Sequence, residues 1–456
     1  MSVKPYMFRR LSGLPSLLLV SLLLAACDRL REVSETLLDH RTPRERYVAS
    51  LESAGLTATA LARDWTLAGE RSLREAPLVS SPFAEEGYFA PAEPAAIAYR
   101  VAVRRGQEVS FGVELPDDTA SLLFVDAWLV EHDSVTSYRR IADADSGRRL
   151  ITVEPRRDGE ILFRAQPELL RGGRFRVNLR LTPTLAFPVG SGRERDIGSR
   201  YGAPRDGGRR DHHGIDIFAP RGTPAVAASE ALVTRVETTP RGGNVVWLRD
   251  VRGNRLYYAH LDRQRVVQGM RVLPGDTVGF VGNTGNARTT PPHLHFGVYR
   301  RGEGPVDPYW FVYRPRGDVP RLLADTARLG DWARTPNDRV LLRAAPDDAA
   351  QRVMALPRHT PLRVIAAVGN WYRVRLPDGL TGYVSARLIE SAERAVAVER
   401  PERRLPLLAR PVDTHAPHDV IAEVSPGDAV RVLGRFGTFL LVRGPSGASG
   451  WVEQGQ

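Results

Sequence analysis

The chain is almost without lysine and cysteine. Of its 64 basic residues only Lys4 is a lysine, and Cys27 is the single cysteine. One cysteine excludes disulfides within the chain. An arginine-for-lysine bias on this scale reports a GC-rich genome rather than a function. Long apolar runs are lacking too: Leu17–Leu24 is too short to span a bilayer by itself. The H-E-x-x-H helix of many zinc proteases is absent. What is present is ordinary for folded, soluble domains, with 42% hydrophobic and 26% charged residues. A length of 456 residues exceeds one small core and implies roughly three to five domains. The formal net charge of +11 favours anionic partners such as polymers, lipid head groups or nucleic acid.

The N-terminus has the marks of an export signal. Lys4, Arg9 and Arg10 precede the apolar run, and Leu24-Ala25-Ala26-Cys27 follows it. This stretch resembles the bacterial lipoprotein signal. The resemblance implies loss of residues 1–26 and lipidation of Cys27, which would anchor the chain to a membrane. No thiol then remains for catalysis. Removing residues 1–26 takes away three positive charges and no negative one, so +11 becomes +8. An exported protein is not expected to meet nucleic acid. Asp28 follows the cysteine. In lipoproteins of enteric bacteria, which this N-terminus resembles, aspartate there commonly marks retention at the inner membrane. The expected location is the periplasmic face of the inner membrane, with the outer membrane as the alternative.

The rest reads as a mainly β, multidomain chain. Residues 27–90 are expected to be a helical segment and linker. Thr42-Pro43-Arg44-Glu45 offers an N-cap, a first-turn proline and a capping-box glutamate. Val48, Leu51, Leu61 and Trp65 then fall near one helical face. Residues 91–183 alternate as strands do, at Val109, Phe111, Val113 and Leu115 and again at Phe175, Val177, Leu179 and Leu181. A small β-sandwich without chemistry of its own is expected there. A glycine-rich, β-patterned domain covers 184–312, and a polar linker with some helical character covers 313–333.

The remainder is an internal repeat. Leu362-Arg363-Val364-Ile365 matches Val430-Arg431-Val432-Leu433, and Gly382-Tyr383-Val384 matches Gly450-Trp451-Val452, both at a gapless offset of 68 residues. Trp371 and Phe439 share that offset. Two copies of one small β module, 334–392 and 393–456, are expected. They resemble tandem bacterial SH3-like domains, which often bind cell-wall peptides. Two weak binders in tandem would gain avidity on a polymer. Trp371 and Trp451 are equally readable as core residues. If the repeats supply affinity alone, a chain ending near residue 333 should still cut soluble peptides.

Chemistry concentrates in the 184–312 domain. His212 stands four residues before Asp216, and His293 and His295 are two apart. Residues i and i+2 of a strand share a face, so His293 and His295 can reach one site. Gly214, Ile215 and Pro220 argue against a helix at 212–216, which leaves a loop entering a strand. His260 follows Tyr257-Tyr258-Ala259 and looks like a strand end. Two imidazoles and a carboxylate suffice for zinc, with water in the fourth position.

Each fragment alone is weak, but the ordered set is specific. Gly198-Ser199-Arg200-Tyr201-Gly202, His212 through Pro220, Gly222-Thr223-Pro224, Tyr258-Ala259-His260-Leu261, Gly282-Asn283-Thr284-Gly285 and His293-Leu294-His295-Phe296 together resemble the lysostaphin/LytM-type zinc endopeptidases. The resemblance runs from Phe187 to Pro308. It implies an antiparallel β peptidase fold, a zinc ion on His212, Asp216 and His295, and catalytic roles for His260 and His293. It also implies that peptide crosslinks of peptidoglycan are hydrolysed through a metal-activated water. His213 fills a variable slot and reads as a bystander, and Tyr201 is expected at the cleft mouth for substrate binding. Two departures stand out: Glu230-Ala231, where the family usually has Asp-Gly, and Pro291-Pro292 before His293. Some family members have lost ligands and activate other wall hydrolases. That non-catalytic alternative requires ligand loss, and here every position is filled.

Overall fold

A computed structural model of the chain describes residues 41–116, 121–132, 135–144, 149–314, 317–411 and 420–454. The export signal, Cys27 and Asp28 lie outside them. Two units are present, Met1–Ala58 and Thr59–Gln456. In the first, the helix Pro43–Ser53 begins as its residues dictate. Glu45 N donates to Thr42 Oγ1 (3.1 Å) and Thr42 N to Glu45 Oε2 (2.8 Å), so a reciprocal pair satisfies two otherwise orphan donors. The apolar face read across Val48 to Trp65 belongs to two helices, not one. Gly55, at φ +71°, takes the left-handed conformation that commonly ends a helix. The second helix, Ala60–Arg74, starts afresh at Thr59 in the second unit.

Ala60–Arg74 packs on a sandwich. Trp65 is buried and its indole N–H donates to Pro167 O (2.7 Å), while Gln166 Nε2 donates to Trp65 O (2.7 Å). One sheet orders Leu78–Val79, Ile97–Val103, Gly159–Pro167, Leu123–His132 and Thr136–Asp143. The facing strands are Phe83–Phe89, Gly173–Pro183, Gln107–Glu114 and Leu150–Val153. The sandwich therefore starts before residue 91. Phe83–Phe89 pairs along its whole length with Gly173–Pro183, from Phe83 opposite Leu179 to Phe89 opposite Gly173.

The next domain is built on an eight-stranded antiparallel sheet. Its path runs Ile197–Ser199, Ile215–Phe218, His293–Arg300, Arg255–Leu261, Gly243–Asp250, Ala231–Thr239 and Arg271–Val272, with Gly304–Val306 beside His293–Arg300. One face buries Ile215, Ile217, Tyr258, Leu294, Phe296 and Val298. The alternate residues of the same strands look the other way, and that face carries the histidines.

The two C-terminal modules repeat in detail. Trp371–Arg375 and Thr381–Ser385 in the first correspond to Phe439–Arg443 and Ser449–Glu453 in the second. Both copies slip register at the same place, between Val364 and Ala366 and between Val432 and Gly434. Both turn on left-handed glycines, Gly369 and Gly379 in one and Gly437 and Gly447 in the other. Trp371 and Trp451 are buried. The modules differ in their surroundings. Pro361–Val368 of the first pairs with Phe83–Phe89, setting Glu86 opposite Ala367, so the sandwich and the first module share one sheet. Ala366, Val368, Trp371 and Tyr383 join the sandwich core.

Candidate metal centre

Backbone pairing brings the chemistry together. Ile215–Phe218 lies antiparallel to His293–Arg300, with Asp216 opposite His295 and Phe218 opposite His293. Arg255–Leu261 flanks the other side, with Ala259 opposite His295. His212 sits in the loop ahead of Ile215–Phe218, as its glycine and isoleucine neighbours required. Its N–H donates to Ala203 O (2.9 Å), and its carbonyl accepts from Gly202 N (2.9 Å). Gly214 has no alternative: a Cβ there would lie 2.5 Å from Phe296 O and 2.8 Å from the His295 ring.

Three donor atoms converge. His212 Nε2 is 3.0 Å from Asp216 Oδ1 and 2.9 Å from His295 Nδ1, and His295 Nδ1 is 3.0 Å from Asp216 Oδ1. The surrounding bonds fix the His212 tautomer. His212 Nδ1 is 2.8 Å from Arg200 O, which can only accept, so Nδ1 carries a proton and, in the neutral ring, Nε2 offers a lone pair. That lone pair faces a carboxylate oxygen. Two acceptors at 3.0 Å repel unless positive charge lies between them. A cation bound by all three removes the conflict, so the donor set fits a metal ion. In the metal-free site burial would raise the Asp216 pKa, but with the His212 and His295 rings donating to it their hydrogen bonds outweigh burial and hold the carboxyl well below its usual range. Burial lowers His295, partly opposed by Asp216. Arg205 donates to the outer oxygen, Asp216 Oδ2, and to Ser199 Oγ, both at 2.7 Å.

Two further imidazoles face the same cleft. His260 ends its strand at φ +61°, a conformation uncommon outside glycine. Its N–H donates to Gly242 O (2.8 Å), and its Nδ1 lies 2.9 Å from Thr284 O. His293 Nδ1 lies 2.8 Å from Pro291 O. Both carbonyls accept, so each ring donates from Nδ1, which leaves Nε2 as the atom available to the cleft; His293 Nε2 lies 4.0 Å from Asp216 Oδ1. Burial first, then the neighbouring His295 and His293, push His260 down to about 4, so it is neutral at pH 7. The His260 ring centre is 5.1 Å from that of His293 and 5.9 Å from that of His295.

The remaining expectations fare unevenly. His213 is exposed on the cleft wall and outside the donor triangle. Tyr201 does not itself line the cleft but stacks on His213 of the cleft wall, with ring centroids 6.4 Å apart. Its hydroxyl donates to Pro305 O (2.9 Å), which ties it to the strand beyond His293–Arg300. Pro291, part of the Pro291-Pro292 departure from the family pattern, supplies the carbonyl that orients His293. Arg205 was missed. It is one arginine beside Arg209 and Arg210 in a loop, and nothing local marks the one that reaches Asp216. The aromatic wall of Trp247, Tyr257 and Tyr299 was also missed, since only strand pairing brings it to the cleft.

Comparison with known proteins agrees with this geometry. Residues 210–308 match peptidase family M23, and residues 338–390 match the bacterial SH3 domain. The L-Ala–D-Glu endopeptidase of Bacillus subtilis (strain 168) is 36% identical over 135 residues, covering 27% of this chain and 41% of that protein. The DD-carboxypeptidase/endopeptidase Mpg of Neisseria meningitidis serogroup B is 41% identical over 99 residues, 22% of each chain. The catalytic domain of lysostaphin from Staphylococcus simulans is 31% identical, covering 25% of this chain and 91% of that one at a TM-score of 0.23. The chain thus spans less than half the length of either curated relative.

Proposed function

From the premise that one chain carries an M23 peptidase domain and a bacterial SH3 domain, we propose that it is a zinc-dependent peptidase acting on peptide bonds of peptidoglycan. The observation that carries this reading is the convergence of His212 Nε2, Asp216 Oδ1 and His295 Nδ1 beside two further imidazoles. The names of these two relatives, an L-Ala–D-Glu endopeptidase and a DD-carboxypeptidase/endopeptidase, point the same way.

His212, Asp216 and His295 would hold the ion. Bound there, zinc supplies a Lewis acid that acidifies water and polarises a carbonyl. The other steps fall to the chain. Arg200 O fixes the His212 ring, and Arg205 with Ser199 fixes the Asp216 carboxylate, the outer bonds that keep ligands aimed. His260, neutral at pH 7, presents an unprotonated Nε2 to the cleft, and the His293 ring lines the cleft beside it. Such groups can take the proton of an attacking water and return one to the leaving nitrogen. In protonated form they can also stabilise the oxyanion. The Trp247, Tyr257 and Tyr299 wall offers a surface along which a peptide can lie.

The test is digestion of purified wall from several species by metal-loaded and chelated protein, with released peptides identified by mass spectrometry. Metal-dependent release of new peptide ends supports the reading. No release, together with faster digestion when another wall hydrolase is present, would favour the non-catalytic regulator. We further propose that the SH3-like modules add affinity for the wall and that Cys27 carries a lipid anchor at the periplasmic face of the inner membrane. Fractionation of the native host, with Cys27→Ser as the comparison, tests the anchor. Recovery of the wild type in the outer-membrane fraction would refute the inner-membrane placement.

A further inference from the structure

Three arginines line the cleft: Arg205, Arg210 and Arg241. Two are committed. Arg205 holds Asp216 and Ser199, and Arg210 Nε donates to Asp206 Oδ2 (2.5 Å). Arg241 is exposed, and among the described residues its side chain makes no ion pair and no hydrogen bond.

Its backbone is nonetheless firmly held. Arg241 lies in the turn between Ala231–Thr239 and Gly243–Asp250. Arg241 O accepts from Asn286 N (3.0 Å), the next carbonyl, Gly242 O, accepts from His260 N (2.8 Å), and Gly242 N donates to Thr239 Oγ1 (3.0 Å). The turn cannot drift toward its neighbours. A Cβ on Gly242 would lie 2.1 Å from the Tyr257 hydroxyl, and one on Gly243 2.1 Å from Thr284 Oγ1. A free guanidinium is thus mounted one residue from the backbone contact of His260. Its charge also reaches both walls. Burial pushes Tyr257 up to about 12 and Arg241 opposes that, while across the cleft Arg241 adds to the lowering of Asp206 begun by Arg210.

We propose that Arg241 is a specificity residue: it takes a free carboxylate of the peptide close to the bond being cut, so that carboxylate-bearing crosslinks are preferred over neutral bridges such as oligoglycine. This rests on the reading of the cleft as a peptidase site. A guanidinium fork matches a carboxylate in two parallel hydrogen bonds and stays charged at every relevant pH. Arg241 shares the cleft with Arg205 and Arg210 and with the carboxylates of Asp206 and Asp211, and it is the one of the three guanidiniums left without a hydrogen-bond partner among the described residues. A neutral bridge gains nothing from it.

The experiment uses the full-length, metal-loaded protein and two crosslinked peptides that differ only in whether one carboxylate is free or amidated, with pentaglycine as a third substrate. Rates are measured for wild type, Arg241→Gln and Arg241→Lys. Binding is measured by calorimetry on the same peptides in a His260→Ala background, with and without Arg241→Gln. The wild type is expected to favour the free carboxylate by about tenfold or more, mainly in KM. Arg241→Gln should bring that ratio close to one, and Arg241→Lys should retain part of it. A wild-type ratio near one, or a ratio that Arg241→Gln leaves intact, overturns the proposal. Cutting without preference would defeat this inference and leave the peptidase reading standing. Preferential binding without cutting by the wild type would do the reverse.

Discussion

Asp216 and Glu85 are both carboxylates withdrawn from water, 7% and 1% exposed, yet their acidities move in opposite directions. Burial works to raise each. At Asp216 two ring nitrogens at 3.0 Å reverse it. At Glu85 it prevails over Arg373, Tyr99 and Tyr383, and the carboxyl is pushed up. Geometry explains the contrast. The Arg373 guanidinium stays 3.6 Å from Glu85, and Tyr383 Oη is 3.4 Å away; only Tyr99 makes a close bond. The first cluster aims lone pairs at an open cleft, where a metal can satisfy them. The second lies at the seam between the sandwich and the first SH3-like module, where Glu85 and Arg373 line a pocket and Arg373 Nη1 has no hydrogen-bond partner. Buried charge at the cleft and buried charge at the seam thus differ in how closely their partners approach, at 3.0 Å around Asp216 and at 3.4–3.6 Å for Tyr383 and Arg373 around Glu85.

Breaking the cleft cluster should have the largest effect. His212→Ala and His295→Ala are each expected to lose the metal and reduce wall hydrolysis to background, as read by metal content and peptide release. His213→Ala should keep its metal. Full activity in either ligand variant would end the assignment. The neighbouring imidazoles should behave differently: His260→Ala and His293→Ala are expected to retain the metal while turnover drops about 10²–10⁴-fold. A metal-free protein in either case would move that histidine into the ligand set.

The seam should respond in stability, not turnover. Arg373→Met leaves Glu85 without its cation and is expected to cost about 3 kcal/mol, with Glu85→Gln restoring part of it, read from denaturant midpoints. The pH dependence sharpens the contrast further, and its effect is the smallest. A raised carboxyl stabilises the fold below its unfolded pKa, here 4.5, and that contribution fades as pH rises through the folded value. Wild type should therefore lose ground to Glu85→Gln as pH rises from 4.5 toward neutral. In chelated protein Asp216 acts in the opposite sense: its contribution is present above 3.8 and fades as pH falls toward its depressed value. Parallel slopes for the two sites would mean that partners do not set the difference.

Legibility followed distance along the chain. The His212–Asp216 spacing, the His293–His295 alternation and the 68-residue repeat are local patterns, and strand geometry turns them directly into position. The capping box at Thr42 is legible for the same reason. Arg205, Arg241 and the Trp247, Tyr257 and Tyr299 wall depend on which strands become neighbours, which no short window states. The seam is the clearest omission. Phe83–Phe89 alternates as any strand does, yet its second partner, Pro361–Val368, belongs to another domain. The expectation that a chain ending near residue 333 still cuts must change accordingly. Such a chain would bare the sandwich core where Val368, Trp371 and Tyr383 now pack. It is expected to be markedly less stable by thermal unfolding than a chain ending at residue 394, which keeps the first module.

The shared sheet also sets an order of events in folding. Glu86 cannot meet Ala367 until the sandwich, the peptidase domain and part of the first module have left the ribosome. Until then the outer edge of Phe83–Phe89 stands open, with unpaired amides that any extended segment could capture. Contacts this far apart in sequence close late and slowly. The seam that makes two domains one body is therefore also the last part of the molecule to be made safe.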